Sequence, residues 1–467
     1  MKRTKIIATI GPASSSPEML EALAKGGANI FRLNFSHGDY EWYGELIKRI
    51  NALNKTLTTP IAIMLDTKGP EIRTAVLEEA IAVKPGDRIT LTIDEVDYQK
   101  TQKIFVNYHG FIKDIEEGGE VLMDNGGMRL KVLSIKGNDA VCEMLDTGEI
   151  GSRRRLNLPG KDLDLPSITE KDWEDIDFGI KQGVDMIALS FVRKSDEVSE
   201  LKAYLAQKEA DIMVISKVES FEATKHLASI VEASDGVMVA RGDLGAEIPF
   251  AQVPQVQQEI INLGAQYRKP IIVATQMLES MIDHPMPTRA EVTDVAHAIF
   301  QETDCIMLSG ETAAGKHPLR CIETMVDIAT VNEAHVGHFR IRDLPVEEDR
   351  DLFAKLAAAI PEDREDLKSI MVMTRTGWTA HVVSNFRPRV PIFAFVPDEA
   401  VARKNQLFWG IDSLIVEFSD DPRVTVENAR QAFLKHFPQE ANHHKCIMMS
   451  DGVAGKGLIP TLQIREW

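Results

Sequence analysis

Ile212-Met-Val-Ile-Ser-Lys-Val-Glu219, followed by Val237-Met-Val-Ala-Arg-Gly-Asp-Leu-Gly245, decides how this chain reads. Each begins as a short apolar run and ends in charge: Lys217 and Glu219 in the first, Asp243 in the second. Residues two apart on a strand share a side, so Lys217 and Glu219 emerge together. Two carboxylates can hold Mg²⁺, and a neighbouring ammonium can stabilise charge that develops during a reaction. That is equipment for phosphate or enolate chemistry. Taken alone, a Lys-x-Glu pair is more often an ordinary structural salt bridge.

The same kind of β-rich apolar run occurs at residues 5–11, 28–35, 61–67, 186–191, 271–276 and 305–309, which makes eight with 212–218 and 237–240. Helical patterns separate most of them. Ser16-Pro-Glu-Met-Leu-Glu-Ala-Leu-Ala-Lys-Gly-Gly27 has an N-cap, an early proline and a glycine stop, and Thr169-Glu-Lys-Asp172 has the form of a capping box. Strands alternating with helices predict a parallel sheet, and eight units predict a (β/α)8 TIM barrel, with the polar residues at the strand C-termini where such barrels carry their sites. A doubly wound sheet is the alternative, but no Gly-rich dinucleotide loop follows the first strand. The alternation lapses between about Gly69 and Leu165, where strand and turn signals (89–93, 103–108, Asn125-Gly-Gly127, Lys136-Gly-Asn-Asp139) predict a small inserted β-barrel lid over the mouth. Beyond a Pro- and acid-containing linker at 345–350, runs at 369–374, 391–395 and 446–449 predict a C-terminal α/β domain. The expected division is 1–69 and 166–340 for the barrel, 70–165 for the lid, and 350–467 for the C-terminal effector or oligomerisation domain.

Composition narrows the classes. The chain has 467 residues, and 53 Lys plus Arg against 71 Asp plus Glu leave a net charge of −18. So acidic a protein is a poor partner for nucleic acid or an anionic membrane, and any phosphate it binds must meet locally concentrated positive charge. Cys142, Cys305, Cys321 and Cys446 have no metal-ligand spacing and read as buried small hydrophobes. Met1-Lys-Arg-Thr-Lys-Ile-Ile-Ala8 runs directly into a strand without a signal-peptide pattern, and no apolar run reaches spanning length. The expectation is a soluble, cytoplasmic protein.

At the mouth, Arg32, Asn34 and Ser36 alternate along Phe31-Arg-Leu-Asn-Phe-Ser-His-Gly38, and Asp66 and Thr67 end the next strand. Asn, Ser, Asp and Thr oxygens make a hard set suited to a monovalent cation, and Arg32 and Arg73 offer rigid forks for phosphate. A solvated polar strand end is the competing reading. Asp243 opens the helix after strand six, where backbone amides favour anions such as a carboxylate. Thr275 is a hydroxyl at the end of strand seven.

The runs Ala8-Thr-Ile-Gly-Pro-Ala-Ser14, Arg32-Leu-Asn-Phe-Ser-His-Gly38, Leu65-Asp-Thr-Lys-Gly-Pro-Glu-Ile-Arg73, Ile215-Ser-Lys-Val-Glu219, Met238-Val-Ala-Arg-Gly-Asp-Leu-Gly245, Ala274-Thr-Gln-Met-Leu-Glu-Ser280 and Met307-Leu-Ser-Gly-Glu-Thr-Ala313 together resemble pyruvate kinase. The resemblance implies phosphoryl transfer from phosphoenolpyruvate to ADP, giving pyruvate and ATP, with Mg²⁺ (or Mn²⁺) and K⁺, in a homotetramer. It implies that Glu219 and Asp243 ligate Mg²⁺, that Lys217 neutralises the phosphoryl group in flight and the enolate, and that Arg32 grips the phosphate. Asn34, Ser36, Asp66 and Thr67 would hold K⁺. The Gly242 and Asp243 amides with Thr275 would bind the substrate carboxylate, and Thr275 would stand near the proton path. Arg73, Lys171, Asn34 and His37 would meet the nucleotide, beneath a closing lid. Glu71 resembles the residue of K⁺-dependent members, in contrast to those with lysine there.

The resemblance thins elsewhere. Trp378 in Thr374-Arg-Thr-Gly-Trp-Thr379 stands where a basic residue is common in the effector loop, and Asp451-Gly-Val-Ala-Gly-Lys-Gly457 lacks the usual Gly-x-Thr-Asn-Thr ending. Activation by a sugar bisphosphate is therefore not expected to carry over by default, and another phosphorylated effector, or none, is an equal alternative. Ser152-Arg-Arg-Arg-Leu-Asn157 departs from Ser-Arg-Lys-Gly-Val-Asn, and its arginines read either as a solvated basic loop or as phosphate contacts. Two rival functions are a metal-dependent lyase or aldolase acting through a pyruvate enolate, and a catalytically silent effector-binding relative.

Overall fold

In the computed structural model, residues 2–124, 126–161, 163, 165–335, 344–440, 444–454 and 457–467 are described, with 440, 451–454 and 457–460 by backbone alone. The turn residue Asn125, the tail residues Gly455 and Lys456, and residues 336–340 at the end of the expected barrel span lie outside them.

All eight expected barrel strands form: β1 (Lys5–Thr9), β2 (Ile30–Asn34), β3 (Ala62–Asp66), β4 (Met186–Leu189), β5 (Met213–Val218), β6 (Gly236–Ala240), β7 (Ile271–Ala274) and β8 (Cys305–Leu308). They pair in parallel and close, β1 bonding both β2 and β8. β4 and β7 stop short of their apolar runs because Phe191 (φ 55°), Thr275 (φ 70°) and Gln276 (φ 54°) turn left-handed at the strand ends. The helix Pro17–Gly26 has the Ser16 cap and the left-handed Gly27 stop, and the helix Glu170–Gln182 has the Thr169–Asp172 capping box.

Alternation along the strands sorts the core into two layers. Ile7, Ile30, Met64, Ala188, Ile215, Met238, Ile272 and Met307 fill the barrel interior. Their neighbours Ile6, Phe31, Leu65, Ile187, Val214, Val237, Val273 and Ile306 pack outward against the helices. The interior positions continue, two residues on, into Arg32, Asp66, Ser190 and Lys217. The polar crown of the barrel is thus the next storey of its apolar core.

Between β3 and β4 a separate sheet runs in the order Ile72–Arg73, Arg155–Asn157, Glu120–Met123, Met128–Lys136, Asp139–Met144, Arg88–Thr92 and Lys103–Phe105. A bridge between Thr74 and Val106 joins its two edges, so it closes around its own core of Leu91, Val121, Leu130 and Cys142. The barrel grips both linkers to this lid. Asp172 Oδ1 accepts from the Lys68 and Gly69 amides at 3.1 and 3.0 Å, while the Arg193 guanidinium donates to the Leu163 and Leu165 carbonyls at 2.7 Å. Gly69 (φ 70°) has no room for a side chain, since a Cβ would meet the Phe191 ring at 2.7 Å.

The C-terminal sheet runs Ile411–Ile415, Ile392–Val396, Ser369–Met373, Lys445–Ala454 and Gly457–Glu466, the last antiparallel to its neighbour. It docks on the floor of the barrel: Lys5 Nζ donates to the Ile411 carbonyl at 2.5 Å and Arg403 pairs with Asp185 at 2.8 Å. Among the described residues no helix is long and apolar enough to cross a membrane.

Candidate active site

Four strands bring the central charges together. Asp66, fully buried at the end of β3, takes Arg32 Nε on Oδ2 at 2.5 Å and Lys217 Nζ on Oδ1 at 3.0 Å. Arg32 also donates to Thr9 Oγ1 at 3.0 Å, and Lys217 to Ser190 Oγ at 2.7 Å. Burial alone would raise the Asp66 carboxyl, but the two cations outweigh it and hold it below the usual carboxylate range. Burial likewise opposes the Lys217 charge, yet Asp66 and Glu219 hold the ammonium well above its ordinary value.

Lys217 and Glu219 do emerge together, 2.9 Å apart, and the second Glu219 oxygen accepts the Phe191 amide at 2.8 Å. The salt-bridge reading is therefore part of the truth, but the pair does not stand alone. Burial pushes the Glu219 carboxyl up, Lys217 opposes that, and the Asp243 charge adds to the rise. Asp243 stands at the end of the neighbouring strand, in the first turn of the helix Arg241–Glu247, and is paired with Arg155 of the lid. The donor set fits a small divalent cation. Two hard carboxylates at adjacent strand ends leave the remaining positions to substrate oxygens and water, as Mg²⁺ sites do. Among the described residues no cluster of three or more His, Cys, Asp or Glu offers a site built of protein ligands alone.

Thr275 Oγ1 accepts the Gly242 amide at 2.8 Å and donates to the Ala274 carbonyl at 2.7 Å. Arg241 fixes this corner from behind, bonding the Thr275 carbonyl at 2.7 Å and Asp294 at 2.7 Å. The left-handed backbone at Phe191, Thr275 and Gln276 rings the mouth, which is where a fold concentrates costly conformations.

Asn34 and Asp66 are register partners on β2 and β3, and Asn34 Oδ1 accepts the Ser36 amide at 3.3 Å. The Thr67 carbonyl takes the Ser190 hydroxyl at 2.6 Å. Asn34 and Asp66, two of the residues expected to hold a monovalent cation, thus lie side by side at the strand ends. Beside them a cleft of about 630 Å³ is lined by Arg32, Asn34, His37, Pro12, Trp42 and Tyr43.

Arg73 and Lys171 stand apart from this group. Arg73 is clamped by Glu71 at 2.8 Å and the Arg153 carbonyl at 2.8 Å, in a groove of the lid. Lys171 lies over the Tyr40 ring at 4.4 Å and is paired with Asp175.

Sequence reasoning missed Thr9 and Ser190 and left the role of Arg155 open. Ser190 was findable, since it has the interior parity of β4. Arg155 carried a signal in the departure of its run, but the three arginines behave differently. Arg153 is exposed, Arg154 pairs with Asp124 at 3.0 Å within the lid, and only Arg155 enters the barrel mouth.

Comparison with known proteins agrees with this geometry. The family model for the pyruvate kinase barrel domain matches residues 1–322, and that for the pyruvate kinase alpha/beta domain matches residues 352–459. The chain is 44% identical over 439 residues to plastidial pyruvate kinase 2 of Arabidopsis thaliana, covering 93% of this chain and 75% of that protein. It is 44% identical over 421 residues to a pyruvate kinase of Bacillus licheniformis, covering 88% and 71%. With a pyruvate kinase of Staphylococcus aureus (strain USA300) it shares 41% over 435 residues, covering 92% and 74%.

Proposed function

Since this chain belongs to the pyruvate kinase family and transfers the phosphoryl group of phosphoenolpyruvate to ADP, giving pyruvate and ATP, we propose that the crown above the barrel core is its active centre. The observation that carries this reading is the single network in which Asp66 orders Arg32 and Lys217, and Lys217 in turn meets Glu219.

In this reading Glu219 and Asp243 hold Mg²⁺ (or Mn²⁺), which when bound screens the phosphate and enolate charges and draws substrate oxygens into line. Arg32, held rigid by Asp66 and Thr9, grips the phosphate. Lys217 keeps its proton because two buried carboxylates face it, so its charge stays fixed where negative charge grows on the phosphoryl group and the enolate oxygen. Phosphoryl transfer needs such positioning more than covalent chemistry. The Gly242 and Asp243 amides and Thr275 bind the substrate carboxylate, and the Thr275 hydroxyl would stand near the proton path by which enolate becomes ketone.

Asn34, Ser36, Asp66 and Thr67 hold K⁺ in this scheme, and Asn34 and His37 line the cleft that would take ADP. Arg73 and Lys171 reach the nucleotide phosphates only if they leave Glu71 and Asp175, so their role requires movement of the lid and rim. Closure of the lid would keep water from the phosphoryl group. Four buried free thiols support a reducing compartment such as the cytoplasm. A homotetramer would cover the apolar side chains of Phe250 and Met286, 83% and 71% exposed.

The deciding measurement is pyruvate release from phosphoenolpyruvate plus ADP and Mg²⁺, with K⁺ and again with tetramethylammonium. ADP-dependent release that collapses without K⁺ is expected. Release indifferent to K⁺ would remove the Asn34-to-Thr67 assignment, and release without ADP would favour a lyase reading.

A further inference from the structure

Among the described residues of the lid, Arg155 is the side chain that pairs with a carboxylate of the barrel's charged crown. It leaves the short strand Arg155–Asn157, passes over the face of Phe191 with its guanidinium 4.8 Å from the ring centroid, and pairs with Asp243. The pair is largely enclosed, the side chains being 14% and 23% exposed. Burial disfavours the guanidinium charge, but the carboxylates of Asp243, Glu219 and Glu71 all act on it and outweigh burial. Two residues along the same strand, Asn157 Nδ2 donates to Glu247 Oε1 at 2.7 Å, so the strand is seated on the helix Arg241–Glu247 twice, once by charge and once by a neutral donor.

That arrangement sets up a conflict. A divalent cation held by Glu219 and Asp243 needs the carboxylate that Arg155 holds, and a guanidinium cannot share an oxygen edge with a dication at close range. We propose that Arg155 gates the metal site: its guanidinium and the divalent cation compete for Asp243, and the ion's arrival frees Arg155 to bind the anionic phosphate of the substrate. The strand stays seated through Asn157 and Glu247 while the charge is handed over. The proposal rests on the assignment of Glu219 and Asp243 as metal ligands.

Two consequences follow. The enzyme binds the ion alone less tightly than the same site without Arg155 does. The ion and phosphoenolpyruvate bind with positive coupling, because each rewards the displacement that the other needs, and the coupling is reciprocal.

The test is Mn²⁺ binding to the full-length protein, read by electron paramagnetic resonance of the free ion, with and without phosphoenolpyruvate. Arg155→Gln should tighten Mn²⁺ binding in the absence of substrate by about tenfold, the size of one charge-assisted hydrogen bond. It should also shrink the tightening produced by phosphoenolpyruvate. Arg155→Lys keeps the charge and should stay close to the parent protein, which guards against reading a folding defect as an effect. A merely structural arginine would leave Mn²⁺ affinity unchanged or weaken it, and either result overturns the gate. Glu219→Gln separates the two levels of the argument. If it weakens Mn²⁺ binding while Arg155→Gln fails to tighten it, the gate alone falls. If Glu219→Gln leaves Mn²⁺ binding intact, the metal assignment falls and takes the gate with it.

Discussion

Asp66 and Lys217, 151 positions apart in the chain, meet at 3.0 Å above the barrel interior, and neither charge has bulk water to fall back on. Lys217 also answers to Glu219 at 2.9 Å, so its ammonium is fixed from two sides. Lys217→Ala should lower kcat by about 10³-fold or more, the scale of removing one preorganised electrostatic donor. Mn²⁺ and phosphoenolpyruvate binding should survive it. Near-normal turnover in a correctly folded variant would sink the assigned role.

Glu71 tests the cation corner. Its carboxylate is held by Arg73 at 2.8 Å and lies 3.6 Å from Lys68, so one acid balances two bases at the lid hinge. Glu71→Lys reverses that balance and supplies a positive charge of its own. The ratio of activity in K⁺ to activity in tetramethylammonium should fall by about fivefold or more, corresponding to a charge interaction of ~1 kcal/mol, the size it has when screened by bulk water. An unchanged ratio would count against the role of Glu71.

Asp172 caps its helix and holds the Lys68 and Gly69 amides with the same carboxylate. Asp172→Ala should cost about 1–2 kcal/mol of stability, as the loss of a cap and its hydrogen bonds usually does. Its diagnostic effect is on the lid. Phosphoenolpyruvate hydrolysis without ADP, measured as pyruvate release, should rise relative to ATP formation, whereas a variant that is only less stable would lose both in proportion.

His381 is expected to make the C-terminal domain sensitive to acid. Its ring stacks on Phe408 with centroids 3.5 Å apart and bonds Asn405 at 2.7 Å, and burial lowers its pKa to about 4. The unfolded chain takes up a proton near the ordinary histidine pKa of about 6.5, before the folded one does. Stability is therefore complete above about pH 7 and declines as pH falls towards 4, by at most about 3 kcal/mol from this group. His381→Gln should flatten that part of the profile in urea unfolding at several pH values. An equally steep decline in the variant would assign the acid sensitivity elsewhere.

Much of the barrel was legible because its signal is local. Each strand is an apolar run with period-two parity, and a cap or glycine marks several helices. The ends of β4 and β7 were misread because Phe191 and Thr275 take left-handed backbone that nothing in an apolar run announces. The strands Ile411–Ile415 and Gly457–Glu466 escaped notice, the first carrying Asp412 and Ser413 and the second Pro460 and Gln463 inside otherwise apolar patterns. At the site, Arg32, Asp66, Lys217 and Glu219 were visible as strand-end charges. Arg155 was not, because its partner lies 88 positions away and the pairing depends on where the lid rests. Arg73 and Lys171 show the converse. Their residue types suit a phosphate, yet their nearest partners are carboxylates of their own neighbourhood.

The shared parity of core and crown has a consequence for how this protein can vary. Insert or delete a single residue within β3 and Asp66 swings out among the helices, while Leu65 or its neighbour turns into the barrel. The same slip that removes the charge from the reaction centre also leaves a misfit in the packing beneath it. Indels within these strands should therefore be lost to misfolding before they are ever tested for activity, and viable length changes belong in the loops above, where the lid itself is spliced in.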